Sequence, residues 1–363
     1  MRKPGRFIGT TGPALNVEDF NETSVPVTLS TQFHVDTQFT TQDLALSLDM
    51  FSDRVLKPAV AAIANKIDRD GTLQAANNTA NIVGTAGTPP TGLITYLTAA
   101  AYLDSEGAPR DGRRSCIVEP FTSATIVDSL KGLFVPQEAI GEQYRKGLMG
   151  RDSAGMNWKM DQNVVAHTFG SFAGSATVNT STAAGFLTSG WAASSTITLT
   201  LTSGVSLNQG DTFTIAGVYA VNPQNRQAYG SNKLRNFVVN QAVSGSGGTI
   251  QVNVSPAVIT AGQFQNVSIP TTNATAAVTF FNSSGTVSPQ NIIMHRNAFC
   301  LAVADLELPE GVHFAGRASD KEIGLSMRVV RQYTINNDSI PTRLDVLYGW
   351  ANLYPELACR VAA

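Results

Sequence analysis

The sequence predicts an α+β framework interrupted by an inserted small β-barrel domain, and three observations predict it. A single long apolar stripe near the start reads as a helix. Residues 168–290 hold four charged side chains, Asp211, Arg226, Lys233 and Arg235, and leave 48 of the chain's 52 to the other 240 positions. Inside that stretch, short apolar–polar alternations are separated by Gly-rich turns, the pattern of a small barrel or sandwich. Mixed helix and strand patterns flank it on both sides. The economical arrangement is a β-domain inserted where both of its ends reach the surface of a parent fold.

Residues 1–40 read as an extended arm or hairpin with little core of its own. Val25, Val27, Leu29, Phe33 and Val35 alternate with polar neighbours, and Pro4, Pro13 and Pro26 oppose a helix. Leu44, Leu48, Phe51, Val55, Ala59, Ile63 and Ile67 then recur at steps of three or four, which predicts a helix over 41–70 within a spine unit of 41–75. Thr40 and Asp43 form its expected capping pair, Gly71 its stop, and Pro58 a kink or break near Lys57. One apolar stripe of that length needs a partner along all of it.

The run GTAGTPPTG at 84–92 is a loop, followed by a helix from Leu93 to Leu103 and a strand over Cys116–Glu119. Helices are expected over Thr122–Lys131, stopping at Gly132, and Gln137–Lys146, stopping at Gly147. Within the insertion, strands are expected at 195–201, 211–218, 236–243, 249–254 and 276–281. Beyond it, 297–304 is apolar and fits helix or strand, while 326–335 and 343–348 alternate as strands. The expected units are 1–40, 41–75, the paired segments 76–167 and 291–363, and the insertion 168–290.

Composition narrows the function classes. A formal net charge of −2 is too neutral for a dedicated nucleic-acid binder, whose affinity comes from many Lys and Arg contacts to phosphate. Charged residues make up 14% against a usual share of about 25%, so much of the surface is expected to be covered by partners or built from Ser, Thr and Asn. Cys116, Cys300 and Cys359 are odd in number and far apart, which predicts buried thiols rather than disulfides or a zinc site. The start, MRKPGRFIGTTGP, lacks the apolar core of a signal peptide, and no run approaches 18 apolar residues.

No catalytic, cofactor-binding or metal-binding residue is predicted, and the chain does not read as an enzyme. Residues 84–92 lack the Gly-Lys-Ser/Thr of a phosphate loop. DRDG at 68–71 lacks the remaining calcium ligands and fits a helix C-cap better. His34, His167, His295 and His313 have no metal-ligand spacing, and Asp305 with Glu307 fits a strand end better than an acid–base pair.

Four segments in order resemble the coat proteins of short-tailed phages of the Salmonella-phage type, within the wider Hong Kong 97 capsid fold. They are SVPVTLSTQFHVDTQFTTQDLALSLDMFSDRVLKPAVAAIANKIDRD at 24–70, YRKGLMGRDSAGMNWKMDQNV at 144–164, MHRNAFCLAVADLELPEG at 294–311 and RLDVLYGWANLYPELACRV at 343–361. The resemblance covers most of 20–165 and 290–363, and the insertion lies where that family has one. One departure is that family members carry a helical arm ahead of the segment that RKPGRF resembles, so the arm's contacts are not carried over.

The resemblance implies a major capsid protein with an extended loop, spine helix, peripheral domain and axial domain. It implies self-assembly of pentamers and hexamers into an icosahedral head in the host cytoplasm, with a scaffolding protein, a portal at one vertex and weak non-specific contact with packaged double-stranded DNA. No cofactor and no membrane are implied. A β-rich phage surface or fibre protein is the first alternative, and a hydrolase with an inserted lid the second.

Arg226, Lys233 and Arg235 cluster in VNPQNRQAYGSNKLRN at 221–236, and the family's insertion has a loop that reaches across capsomers. These three are the candidate inter-capsomer contacts, expected to face an acidic patch on a neighbour, with a solvated loop as the plain alternative. Charge reversal at Arg226 and Arg235 together is expected to impair shell assembly, seen by electron microscopy, while the subunit stays folded.

Overall fold

Alternation decides where the strands fall. In the computed structural model, which describes residues 1–40, 55–129, 154–172, 174–179, 186–187, 190–269, 276–282, 285–320 and 324–363, the run STITLTL forms the strand Ser195–Leu201. Ile197, Leu199 and Leu201 are buried and the intervening threonines turn outward, as a period of two requires.

The strands Leu234–Val239, Gly248–Ser255, Ser195–Leu201, Ala176–Val178, Ala277–Phe280 and Thr212–Ala220 pair antiparallel in that order. Thr212, Phe213 and Thr214 then pair back onto Val238, Phe237 and Asn236, which closes a six-stranded barrel. The short strand Val267–Ser268 adds to the far end of Thr212–Ala220. Each barrel strand sends a residue into one core: Val178, Leu199, Ile215, Phe237, Val252 and Val278. Burying each large member contributes about 1.5–3 kcal/mol.

The chain divides into two compact units. One holds residues 25–72 and 299–351 with Met1, and the other holds 2–24, 73–298 and 352–363, so the barrel lies in the second. The second unit also carries a mixed sheet ordered Ile82–Gly84, Ala358–Ala362, Val287–His295, Arg114–Val118 and Asn157–Met160. Helices α2 (Leu93–Ser105) and α3 (Pro120–Ser129) bury Tyr96, Leu103 and Ile126 in one cluster with Cys116, Ile293 and Val361. Pro120 opens α3 two residues before its expected start, where a missing N–H costs nothing.

In the first unit, Thr31–Thr40 pairs over ten residues with the strand Ser339–Asn352, beside Leu325–Arg331 and Phe314–Asp320. Phe33 and Val35 pack into a cluster with Ala59, Ile63 and Ile67 of helix α1 (Lys57–Asn78) and with Leu344, Val346 and Tyr348. Residues 31–40 therefore have core contacts that the extended-arm reading of 1–40 did not anticipate. Asp345 is fully buried in this sheet. Burial alone would push its carboxyl up, but hydrogen bonds from Arg328 (3.0 and 2.5 Å) and Gln32 (3.0 Å), with the Arg328 and Arg343 charges, hold it below the usual carboxylate range.

The apolar stripe of α1 is as expected at Ala59, Ile63 and Ile67, but its end is not. The helix runs through Gly71 and stops at Asn78, where Thr79 returns both its N–H and its hydroxyl to the Ala75 carbonyl. Gly71 is a packing glycine. A Cβ there would sit 2.5 Å from Cζ2 of Trp350, whose Nε1–H donates to the Ile67 carbonyl at 3.1 Å. DRDG is thus helix interior rather than a C-cap, and Asp70 accepts from Lys66 (2.6 Å) and from the Tyr348 hydroxyl (2.5 Å). Pro58 stands in the first turn of the regular α-helix, after a π-type turn at Val55 and Leu56.

Leu44, Leu48, Phe51 and the Asp43 cap lie outside the described residues, as do the helix 137–146 and the stops at Gly132 and Gly147. The apolar run at 297–304 is a strand, Phe299–Ala304. Cys116 and Cys359 are buried free thiols that burial pushes up, Cys359 to about 12. Cys300 is half-buried, against expectation, because its strand is half-buried along its whole length.

Gly71→Ala tests the packing role. In an exposed helix the change would stabilise by about 1 kcal/mol. Here overpacking against a hydrogen-bonded indole is expected to destabilise by about 1–3 kcal/mol in denaturant unfolding. A stabilised variant would refute the reading.

Candidate functional site

The strands that close the barrel also emit the loop carrying the three predicted cations. Thr212–Ala220 and Leu234–Val239 are in register at Thr214↔Asn236 and again at Tyr219↔Leu234, with a shift between, and Gly217 sits there at φ 79°. Such a bulge bends and twists the pair, here just before residues 221–233 leave the barrel.

The loop has its own frame. Val221 bridges Ala228, the Arg226 N–H donates to the Asn222 carbonyl (2.9 Å), and the Asn222 and Asn225 side chains accept from Gln224 and Gln227 N–H groups (2.8 and 3.0 Å). Arg226 and Asn232 take left-handed backbone conformations to close the turns. Gln224, Asn225, Gln227, Ala228, Ser231 and Asn232 are exposed.

At its base the loop grips the C-terminal end of α2. Arg235 and Glu106 form an ion pair with side chains 6% and 7% exposed. The Tyr229 hydroxyl donates to the Ser105 carbonyl, one of the acceptors a helix end leaves open. Lys233 lies over the Tyr102 ring, 2.9 Å from its centroid, and burial lowers its pKa. Cations suit the negative end of a helix dipole, whereas a carboxylate there does not. Burial pushes the Glu106 carboxyl up, and the Arg235 charge pulls against that shift.

Arg226 turns elsewhere. Its guanidinium donates to the Phe7 carbonyl at 2.8 Å and the Gln263 carbonyl at 3.4 Å. The structure therefore brings Lys233 and Arg235 together on α2 and sets Arg226 against the segment 2–24. Each of the three contacts its own chain. The partners Glu106, Tyr102 and Phe7 lie more than a hundred residues from the loop in sequence, and no spacing rule links them to it.

The fourth charge of the insertion, Asp211, accepts from His167 Nε2 (2.8 Å) and from the Asn208 (2.7 Å) and Gly170 (3.1 and 3.3 Å) N–H groups. Both side chains of the His–Asp pair are buried, and the carboxylate also ties down the backbone at Gly170 and Asn208. Its charge also acts on the fully buried Arg360, whose pKa burial lowers to about 10. His295 is likewise structural, bonded to Asp111 (3.2 Å), and Asp305 pairs with Arg317 (3.2 Å). Among the described residues no three metal-ligating side chains converge, and no helix is long and apolar enough to cross a membrane.

A family model described as P22 coat protein, gene protein 5, matches residues 6–360. No curated protein matches. Three solved structures are similar over nearly the whole chain. One, titled as the capsid structure of the cyanophage P-SCSP1u, is 11% identical with a TM-score of 0.48, covering 100% of this chain and 83% of that one. Another, titled as the asymmetric unit of the bacteriophage PhiM1 mature capsid, is 11% identical with a TM-score of 0.47, covering 100% and 81%. A chain from Mycobacterium phage Che8 is 10% identical with a TM-score of 0.46, covering 99% and 83%.

The Arg235–Glu106 pair gives a test of the loop base. Arg235→Ala strands a buried carboxylate and is expected to cost about 3–5 kcal/mol at pH 7. Without Arg235 the Glu106 pKa rises further above its unfolded value, so the folded state holds a proton the unfolded state has lost. The deficit relative to the parent should therefore shrink as pH falls toward the ordinary carboxylate range. Replacing both, Glu106→Leu with Arg235→Met, should cost far less than Arg235→Ala. A small, pH-independent loss in Arg235→Ala would contradict this. Charge reversal at Arg235 consequently threatens the fold itself, and reversal at Arg226 would also release the Phe7 carbonyl of the 2–24 segment.

Proposed function

The chain belongs to the P22 coat protein family, and from that membership we infer how the molecule is used. It is a structural major capsid protein that forms the head of a tailed phage. The observation that carries this is the family match along residues 6–360. The fold we propose is the Hong Kong 97-type capsid fold, with the barrel in 168–290 as the inserted domain and the flanking segments as spine, peripheral and axial parts.

The subunit is proposed to close into pentamers and hexamers of an icosahedral shell in the host cytoplasm, with a scaffolding protein and one portal vertex. Its role is structural, without catalysis. The His–Asp pairs found here each fix a turn or a strand end, which supports that reading. Packaged DNA is proposed to meet only weak, non-specific contacts, in keeping with a net charge of −2.

The loop 221–233 is proposed as an inter-capsomer contact. Arg235 and Lys233 hold its base on α2, Arg226 holds the 2–24 segment, and its uncharged tip reaches toward the neighbour. The contact then rests on Asn, Gln and Ser hydrogen bonds more than on ion pairs.

Electron microscopy of the protein made alone and with the neighbouring phage genes tests the reading. Closed shells, or spirals and tubes from the protein alone, are expected. A monodisperse monomer or trimer under both conditions would overturn the coat assignment in favour of a fibre protein or an enzyme.

A further inference from the structure

We propose that the loop formed by residues 2–24 is an interaction surface that docks, through Phe7, Leu15, Val17 and Phe20, onto an apolar surface of a second copy of this chain. The inference rests on the coat-protein reading for the identity of its partner.

The loop is a built object. Arg2 and Lys3 pair with Ser24 and Thr23 and close its base. Across its middle, the Ile8 N–H donates to the Glu18 carboxylate at 2.8 Å, and the Phe7 and Phe20 rings stack with centroids 6.0 Å apart. Gly5 lets Phe20 fold down, since a Cβ there would lie 2.8 Å from that ring. The closed loop is also fixed to its own unit. Lys3 sits over the Tyr354 ring at 4.4 Å, Gln263 donates to the Asp19 carbonyl at 3.0 Å, and Arg226 holds the Phe7 carbonyl.

What the loop holds in place is apolar and exposed. Leu15 is 90% exposed, Val17 79%, Phe20 62% and Phe7 61%. Residues 7–17, FIGTTGPALNV, contain no charged side chain. Ordering each residue costs about 1–2 kcal/mol in backbone entropy, and apolar side chains left in water return nothing within the subunit. The core of a protein interface has this composition, apolar and depleted of charge.

The missing charge also selects the occupant. The ridge 7–17 carries no charge, and the Glu18 and Asp19 that follow it are acidic, so it offers nothing to a phosphate backbone. It fits a near-neutral protein surface with uncovered apolar side chains, and this chain is one. Ile94 and Leu97 stand exposed three residues apart on α2, at the opposite end of that helix from its contact with the 221–233 loop. Shells are built from heterologous contacts, in which one patch meets a different patch on the next copy.

The test uses the full chain. Leu15→Ser with Val17→Ser removes two side chains that touch little of their own subunit, so the unfolding transition is expected to stay where it is. Assembled protein, measured by sedimentation and electron microscopy, is expected to fall at least tenfold. In parallel, Leu15→Cys in a Cys300→Ser background is labelled with a photoactivatable maleimide and irradiated in assembled particles. Crosslinks to a second copy, mapped by mass spectrometry, are the expected result.

Normal assembly of the double variant would overturn the proposal, as would crosslinks confined to the same copy or formed with another phage protein. A parent chain that forms no particles under any condition would instead remove the coat-protein reading, and the inference with it.

Discussion

The pairing of Thr212–Thr214 with Asn236–Val238 is the contact on which the rest of the barrel unit depends. Without it the six strands would form an open sheet with two edges, Thr212–Ala220 and Leu234–Val239, that carry Arg235 as their one charge. Natural edges are protected by charge, proline or cover, and this segment has four charges in 123 residues. Closure leaves no edge to protect. The same two strands then bend at the bulge and carry the loop 221–233 outward, so one local pairing stabilises the barrel and aims its projection.

The four charges explain the rest of the economy. Asp211 pins the turns around Gly170 and Asn208, Arg235 closes on Glu106, Lys233 rests on Tyr102, and Arg226 holds the 2–24 loop. All four act within their own chain. Their density is low because each sits where a specific acceptor, ring or carboxylate needs it, and solubility is left to Thr, Ser, Asn and Gln.

Much of this was legible in the sequence. The strand 195–201 can be read residue by residue because, after the buried Ser195, its inward positions are all apolar and its outward ones all threonine. The charge-poor interval marked the barrel for the same reason. Gly71 was not legible. A helix C-cap and a close helix–indole contact both call for glycine, and what separates them is Trp350, far along the chain. The cation cluster was legible as a cluster, but its direction was not. Whether Arg235 faces a neighbour or Glu106 depends on how α2 ends beside the barrel, and no local pattern records that. The 2–24 loop escaped notice because its glycines and prolines look like a tail, whereas Gly5 and Glu18 serve a packed turn.

The placement of charge also shapes how such a subunit recognises its neighbours. Long-range charge steers encounters but is screened beyond about 8–10 Å at ordinary salt. A chain that has turned its insertion's charges inward has given up most of that steering. Its contacts gain from excluded water and from hydrogen bonds that form only in register, which favours accuracy of fit over speed of encounter. For a structure made of many copies of one surface, that ordering is useful. Wrong pairings gain little and separate quickly, while correct ones accumulate apolar burial at each closure.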